Sequence, residues 1–182
     1  MEQILKQFLR LREIGKKIGI QLFLGCEYHV DDGMVRMLRA KERPCMASSR
    51  YVLAEYRYDV STEYVKESLD DLLRNGYLPI IAHIERYTDV CADWDFLEEI
   101  VDMGAFIQVN AGSIIGDGGR NVKRFCKKLM KEDLLHFVGT DAHRIDIRRP
   151  IIKPCVDYVI KKMGEDYARE IFVENPRRIV LR

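Results

Sequence analysis

The sequence predicts an α/β fold built on a mainly parallel sheet, either open or closed into a barrel. Three observations predict it. Short apolar runs of strand length alternate with segments of helical period, most of them closed by a glycine or opened by a capping residue. No repeat, linker or low-complexity tract interrupts that alternation. Acidic and imidazole residues recur where the apolar runs end, which is where parallel α/β folds place their active sites.

The elements follow in order. Residues 1–17 carry Ile4, Phe8, Leu11, Ile14 and Ile18 at helical spacing, with Gly19 as the stop. Residues 20–27 (IQLFLGCE) read as a strand ending at Glu27, and 50–56 (RYVLAEY) as a second with Glu55 near its end. Residues 61–76 form an amphipathic helix in which Ser61 caps, Val65, Leu69, Leu72 and Leu73 face inward, and Gly76 closes. Residues 78–83 (LPIIAH) are a strand ending at His83. A helix over 94–104, a strand over 105–110 and a basic-faced helix over 120–133 come next. The last predicted strand, 134–143 (LLHFVGTDAH), ends in Asp141-x-His143. Helical segments at roughly 150–163 and 165–173 precede NPRRIVLR.

The 182 residues suit one domain with a real core. A net charge of +1 suggests neither a nucleic-acid partner nor an anionic membrane surface, and no apolar run is long enough to span a bilayer. The five cysteines, with no CxxC among them, argue against a disulfide framework or a zinc knuckle. They read as reduced thiols of a cytoplasmic protein.

Strand alternation puts Asp141 and His143 on one face, where they can bind a metal, form a catalytic pair or simply hydrogen-bond. Glu27, Glu55 and His83 sit at other strand ends and would converge with them. Three carboxylates and two imidazoles make an N/O ligand set suited to Mn, Fe or Zn. Without a cation, three nearby carboxylates raise one another's pKa. Each residue has a plainer reading: a solvated loop for Glu27, a pairing with Arg57 or Arg86 for Glu55, a hydrogen-bonded core histidine for His83. His136 reads as structural, His29 as a loop residue near the site, and Asp31, Asp32 and Asp117 as turn or cap residues.

Arg86 follows His83 by three residues, and Arg148 and Arg149 follow His143. Guanidinium groups grip phosphate through paired hydrogen bonds, so a metal centre ringed by arginines points to a phosphoester substrate. Surface ion pairing is the alternative, above all for Arg149. NAGSIIGDGG (110–119) lacks a P-loop lysine and GxGxxG spacing, so it reads as a flexible loop over the site mouth, with Asn110 and Ser113 contacting substrate or capping the turn.

GCEYHVDDGMVRML, RYVLAEYRYD, GYLPIIAHIERY, FIQVNAGSIIG, GTDAHR and ENPRRIV occur in an order that resembles the polymerase-and-histidinol-phosphatase (PHP) superfamily. The nearest branch resembles the bacterial manganese-dependent tyrosine-protein phosphatases of capsule and exopolysaccharide operons. AHIERY is similar to that branch's His-Pro-Glu-Arg signature, with Ile84 where proline is usual. The resemblance implies a single PHP-type domain over 1–182, a distorted (β/α)7 TIM-like barrel holding two or three Mn²⁺ ions. It implies Glu27, Glu55, His83, Asp141 and His143 as metal ligands. Arg86 and Arg148 would hold the phosphoryl group catalytically, with Arg149 beside them in substrate binding. It further implies a phosphotyrosine substrate on a bacterial tyrosine autokinase of polysaccharide export.

The family opens with a His-x-His strand, a helix and another histidine-bearing strand, none of which is matched here. The chain is therefore expected to lack its first strand–helix unit and part of the second, through truncation, a misassigned start or as a natural remnant. The edge left unclosed predicts oligomerisation or an inserted neighbouring segment. Two rival functions stand beside the phosphotyrosine phosphatase: another PHP phosphoesterase acting on histidinol phosphate or a small molecule, and a catalytically degenerate scaffold.

Overall fold

Parallel pairing organises residues 2–181, which the computed structural model describes. Five strands lie side by side in chain order: β1 (Glu27–His29), β2 (Tyr51–Glu55), β3 (Leu78–Ile81), β4 (Phe106–Asn110) and β5 (Phe137–Gly139). All four pairings are parallel, with Glu27 opposite Leu53, Leu53 opposite Ile80, Ile80 opposite Phe106, and Gln108 opposite Phe137. A sheet that adds each new strand beside the last places every connection on the same face. Among the described residues β1 and β5 have no further strand beside them, so the sheet is open.

The strands' side-chain alternation separates two environments. Val52, Ala54, Ile81, Ile107 and Val109 point to the helix-covered face and are fully buried. They meet Leu69 and Leu72 of α3 (Thr62–Arg74), Leu97 and Ile100 of α5 (Trp94–Asp102), and Leu129 of α7 (Gly119–Lys131). The expected cap is in place, Ser61 Oγ accepting from the Tyr64 N–H at 3.3 Å, and Asp93 caps α5 in the same way through the Phe96 N–H at 3.0 Å. Gly76 ends α3 at φ +78°, a conformation open to glycine at no steric cost.

On the opposite face Tyr51, Ile80, Phe137 and Ile179 form a smaller apolar cluster. The rings of Phe106 and Phe137 lie 5.5 and 6.2 Å from that of Tyr51. Further along the sheet this face turns polar, with Glu27 at the start of β1 and Glu55, Gln108 and Asn110 toward the C-terminal ends of β2 and β4.

Two expected strands are corrected, and two helices add to what the sequence shows. Residues 20–26 are not a strand: pairing begins at Glu27, and the Leu24 carbonyl is instead taken by the Ala47 N–H at 2.8 Å. The helix α1 (Glu2–Lys17) forms as expected, but most of its apolar stripe is left uncovered by the described residues. Ile4, Leu11, Ile14 and Ile18 stay about half exposed or more. The strand predicted over 134–143 shrinks to Phe137–Gly139, because Asp141 takes a left-handed φ of +49°. NPRRIVLR, left unassigned, supplies α10 (Asn175–Val180), which continues a helical run begun at Glu165 and places Ile179 in the smaller cluster. The remaining α-helices are α2 (Met34–Arg39), α4 (Thr88–Ala92), α6 (Ala111–Ile115), α8 (Lys153–Met163) and α9 (Glu165–Arg169).

Candidate functional site

Three strand ends build the first part of the site. Glu27 opens β1 and Glu55 closes β2, and the register puts their side chains on the same face two positions apart. Beyond β3 the pairing continues through the Ala82 N–H to the Ala54 carbonyl at 2.9 Å. The chain then turns at His83, held at φ +33°, with its N–H donating to Gln108 Oε1 at 2.6 Å. That turn swings the imidazole under the two carboxylates. Its Nε2 lies 3.1 Å from Glu27 Oε1 and 3.3 Å from Glu55 Oε1, and the side chain is only 3% exposed.

One donor atom from each of Glu27, Glu55 and His83 falls within 4.8 Å of the others, a spacing that suits a single divalent cation. The remaining ring nitrogen is also provided for. His83 Nδ1 is 3.3 Å from the Tyr87 hydroxyl, whose oxygen accepts from the Tyr56 N–H at 3.0 Å. With its proton on Nδ1, His83 donates to that oxygen and aims the Nε2 lone pair between the carboxylates, an arrangement typical of metal-binding histidines.

Asp141 and His143 form a separate group. The break in β5 turns Asp141 inward and His143 outward, so the side chains are 12% and 57% exposed. Asp141 Oδ2 accepts from Arg86 Nη2 at 2.5 Å and Arg148 Nη1 at 3.1 Å, with Asn110 Nδ2 at 3.4 Å. His143 rests against it, Nδ1 lying 2.8 Å from the Asp141 carbonyl. Burial works against ionising Asp141. The hydrogen bond and charge of Arg86, with the charges of Arg148 and His143, outweigh it and hold the carboxyl below its ordinary value. Burial likewise opposes the charge on Arg86, and Asp141 more than compensates.

The five predicted ligands thus divide into a cluster of three and an arginine-bound pair, and the strand geometry expected to align Asp141 with His143 is absent. Asp141 nevertheless joins the groups. It lines a cavity of about 250 Å³ with Glu27 and His83, and also one of about 450 Å³ with Arg86, Arg148, Arg149, Asn110 and Ser113. The plainer reading of Glu55 falls away, since Arg57 pairs with Asp59 and Arg86 with Asp141. His29 is exposed on β1. Asp31 makes a turn contact with the Gly33 N–H at 2.8 Å.

Glu85 went unnoticed in the sequence. Its Oε1 accepts from the Asn110 N–H at 2.9 Å and the Ser113 hydroxyl at 2.7 Å, while Oε2 is buried without a partner. It therefore ties the turn carrying His83 and Arg86 to α6, and the loop expected to be flexible is a short helix anchored by a carboxylate. The only signal was its place between His83 and Arg86 in HIERY. No cysteine is activated here: burial pushes the Cys91 and Cys155 thiols up to about 12 and raises Cys126 as well.

The model of the family described as capsular polysaccharide synthesis, CpsB/CapC, matches residues 1–181. Tyrosine-protein phosphatase CpsB of Streptococcus pneumoniae is 33% identical over 187 residues, covering 99% of this chain and 77% of that protein. Putative tyrosine-protein phosphatase CapC of Staphylococcus aureus is 34% identical over 138 residues, 76% of this chain and 54% of that one. Among solved structures, a chain from the work on YwqE of Bacillus subtilis and CpsB of S. pneumoniae, described as unique metal-dependent tyrosine phosphatases, superposes with a TM-score of 0.85. It is 27% identical and covers 94% of this chain and 69% of its own. A match over residues 1–181, joined to a fold shared at that TM-score, makes this chain a member of the CpsB/CapC family of capsular polysaccharide synthesis.

Proposed function

We propose that this chain is a metal-dependent phosphatase that hydrolyses phosphotyrosine on a protein of capsule or exopolysaccharide synthesis. The observation that carries the proposal is the position of Asp141, whose carboxylate lies between the Glu27–Glu55–His83 cluster and the arginine-lined cavity. A phosphoryl group seated against Arg86 and Arg148 stands next to the residues that would hold a cation.

Glu27, Glu55 and His83 would hold the ion, with Asp141 and His143 as the further ligands that the family resemblance implies. A bound divalent ion supplies Lewis acidity for water and for a phosphate oxygen. The chain's own groups do the rest. Arg86, held by Asp141 with its guanidinium on the cavity wall, presents fixed positive charge to the phosphoryl oxygens. Arg148 adds a second guanidinium and Arg149 a third on the cavity rim. Glu85, by accepting from the Asn110 N–H and the Ser113 hydroxyl, fixes the wall of the cavity that these residues form. A thiol nucleophile is not required, in keeping with the raised thiols.

Finer features belong to the same proposal. Residues 1–182 are one PHP-type domain, and strands added in chain order, all parallel, are the winding of a (β/α) barrel. Manganese is the ion favoured by the resemblance, with Fe or Zn accepted by the same ligand types. The phosphoprotein is a tyrosine autokinase of the cytoplasm, and the open sheet edge together with the exposed α1 stripe supports self-association. No helix among the described residues is long and apolar enough to cross a membrane.

The test is hydrolysis of phosphotyrosine peptides against a panel of small phosphate esters. Activity is expected with Mn²⁺, lost on chelation, unchanged by thiol alkylation and higher on the peptides. Full rate in excess chelator contradicts the metal, and a preference for histidinol phosphate contradicts the substrate.

A further inference from the structure

The loop after β5 carries two faces of opposite character. Asp146, Arg148 and Arg149 line the cavity of about 450 Å³, whereas Ile145 and Ile147 do not. Those isoleucines are 91% and 60% exposed, unusual for branched apolar side chains beside a charged cavity. The loop is tied in place. The His143 N–H donates to the Arg148 carbonyl at 3.1 Å, the Ile151 N–H to the Arg149 carbonyl at 2.8 Å, and Arg148 Nη1 to Asp141. Residues 144–147 are therefore the tip of a closed turn that holds its apolar side chains out to solvent, interleaved with the cavity-lining Asp146 and Arg148.

We infer that Ile145 and Ile147 form a docking lip for the apolar residues that flank the phosphorylated side chain of a protein substrate. The inference rests on the proposed function and names what that substrate presents beyond its phosphate. A cavity of this volume takes up an aryl phosphate but not the chain that carries it. Charge sets the direction of approach, because Arg148 and Arg149 draw a phosphate dianion inward past the tip. The peptide on either side then crosses the lip, and apolar flanking residues bury isoleucine surface that water otherwise covers. The lip thus selects among phosphoproteins and leaves the chemistry to other residues.

The experiment compares the wild-type protein with I145S/I147S, a pair whose exposure spares the fold. The substrates are a phosphotyrosine peptide with apolar flanks, the same peptide with serine flanks, and para-nitrophenyl phosphate, all with Mn²⁺. The variant is expected to lose about tenfold in kcat/KM on the apolar-flanked peptide through KM, with para-nitrophenyl phosphate unchanged. Equal loss on every substrate, or no loss on the apolar-flanked peptide, overturns the lip. Binding of the two peptides as non-hydrolysable phosphonates, read by fluorescence anisotropy, decides the matter even without turnover. A difference abolished by I145S/I147S supports the lip, and identical binding of both peptides refutes it. Absence of hydrolysis by the wild type bears on the proposed function instead. If sedimentation shows that the substitutions dissolve a dimer while peptide kinetics stay constant, the isoleucines face a second copy and the lip is rejected.

Discussion

At the scale of single residues, the site depends on groups that hold other groups. Glu85 touches neither cavity's ligand cluster, yet it fixes the Asn110 backbone and the Ser113 hydroxyl through one oxygen. Glu85→Ala is expected to cost about 2 kcal/mol of stability, because a backbone N–H and a hydroxyl lose a charged acceptor. Glu85→Gln, which keeps an oxygen at the accepting position, should retain most of it, as urea denaturation would read. A loss as large for glutamine as for alanine would place the effect in the charge instead. His136 gives a pH test. Burial pushes it below its ordinary value of 6.5, and its Nδ1 accepts the Ile107 N–H at 3.2 Å, so the folded protein keeps it neutral. The unfolded chain then binds more protons between the two values. The contribution is complete above 6.5, and stability falls as pH drops through the folded value. His136→Asn, with a carbonyl oxygen in place of Nδ1, should flatten that slope in denaturation midpoints measured from about pH 5 to 7.5. An unchanged slope would assign it elsewhere. Glu27, Glu55 and His83 were legible in the sequence because each ends an apolar run. The alignment of Asp141 with His143 was not, because one left-handed residue at 141 reverses what period-two alternation implies.

At the scale of elements, burial separates helices that look alike in sequence. α1 and α3 both show apolar stripes at helical spacing, but Leu69 of α3 is fully buried and Ile14 of α1 is 48% exposed. Leu69→Ala should cost about 2–5 kcal/mol through a core cavity. Ile14→Ser should stay within about 0.5 kcal/mol, since the position gives up little burial on substitution. Comparable losses in thermal unfolding would mean that α1 packs in solution against something that covers its stripe. Periodicity reports which face of a helix is apolar, not whether a partner meets it, so α1 was legible as a helix while the exposure of its stripe was not. Strand lengths failed for a related reason. The apolar run at 20–26 has strand composition, yet a strand exists only where a neighbour completes its ladder, and pairing to β2 begins at Glu27.

At the scale of the whole molecule, one sheet divides labour between its faces. The helix-covered face carries most of the apolar burial, and the other passes from an aromatic cluster to the polar strand ends. The parallel α/β class was readable because alternating strand and helix periods leave few other topologies. Closure of the sheet was not, because it depends on what lies beside β1 and β5 and no local pattern encodes that. The convergence of Glu55 and His83 followed from the rule that parallel strands gather their C-terminal ends, whereas Glu27, expected to end a strand, opens β1 and joins them through its register with β2; this cluster is the feature on which the proposed chemistry depends. The most direct test is calorimetric titration of Mn²⁺ into the wild-type chain and into Glu27→Ala, Glu55→Ala and His83→Ala. Binding by the wild type that each substitution weakens by at least about tenfold is the predicted result, as expected when a metal ligand is removed. Undiminished binding in all three variants would contradict a metal centre at these strand ends.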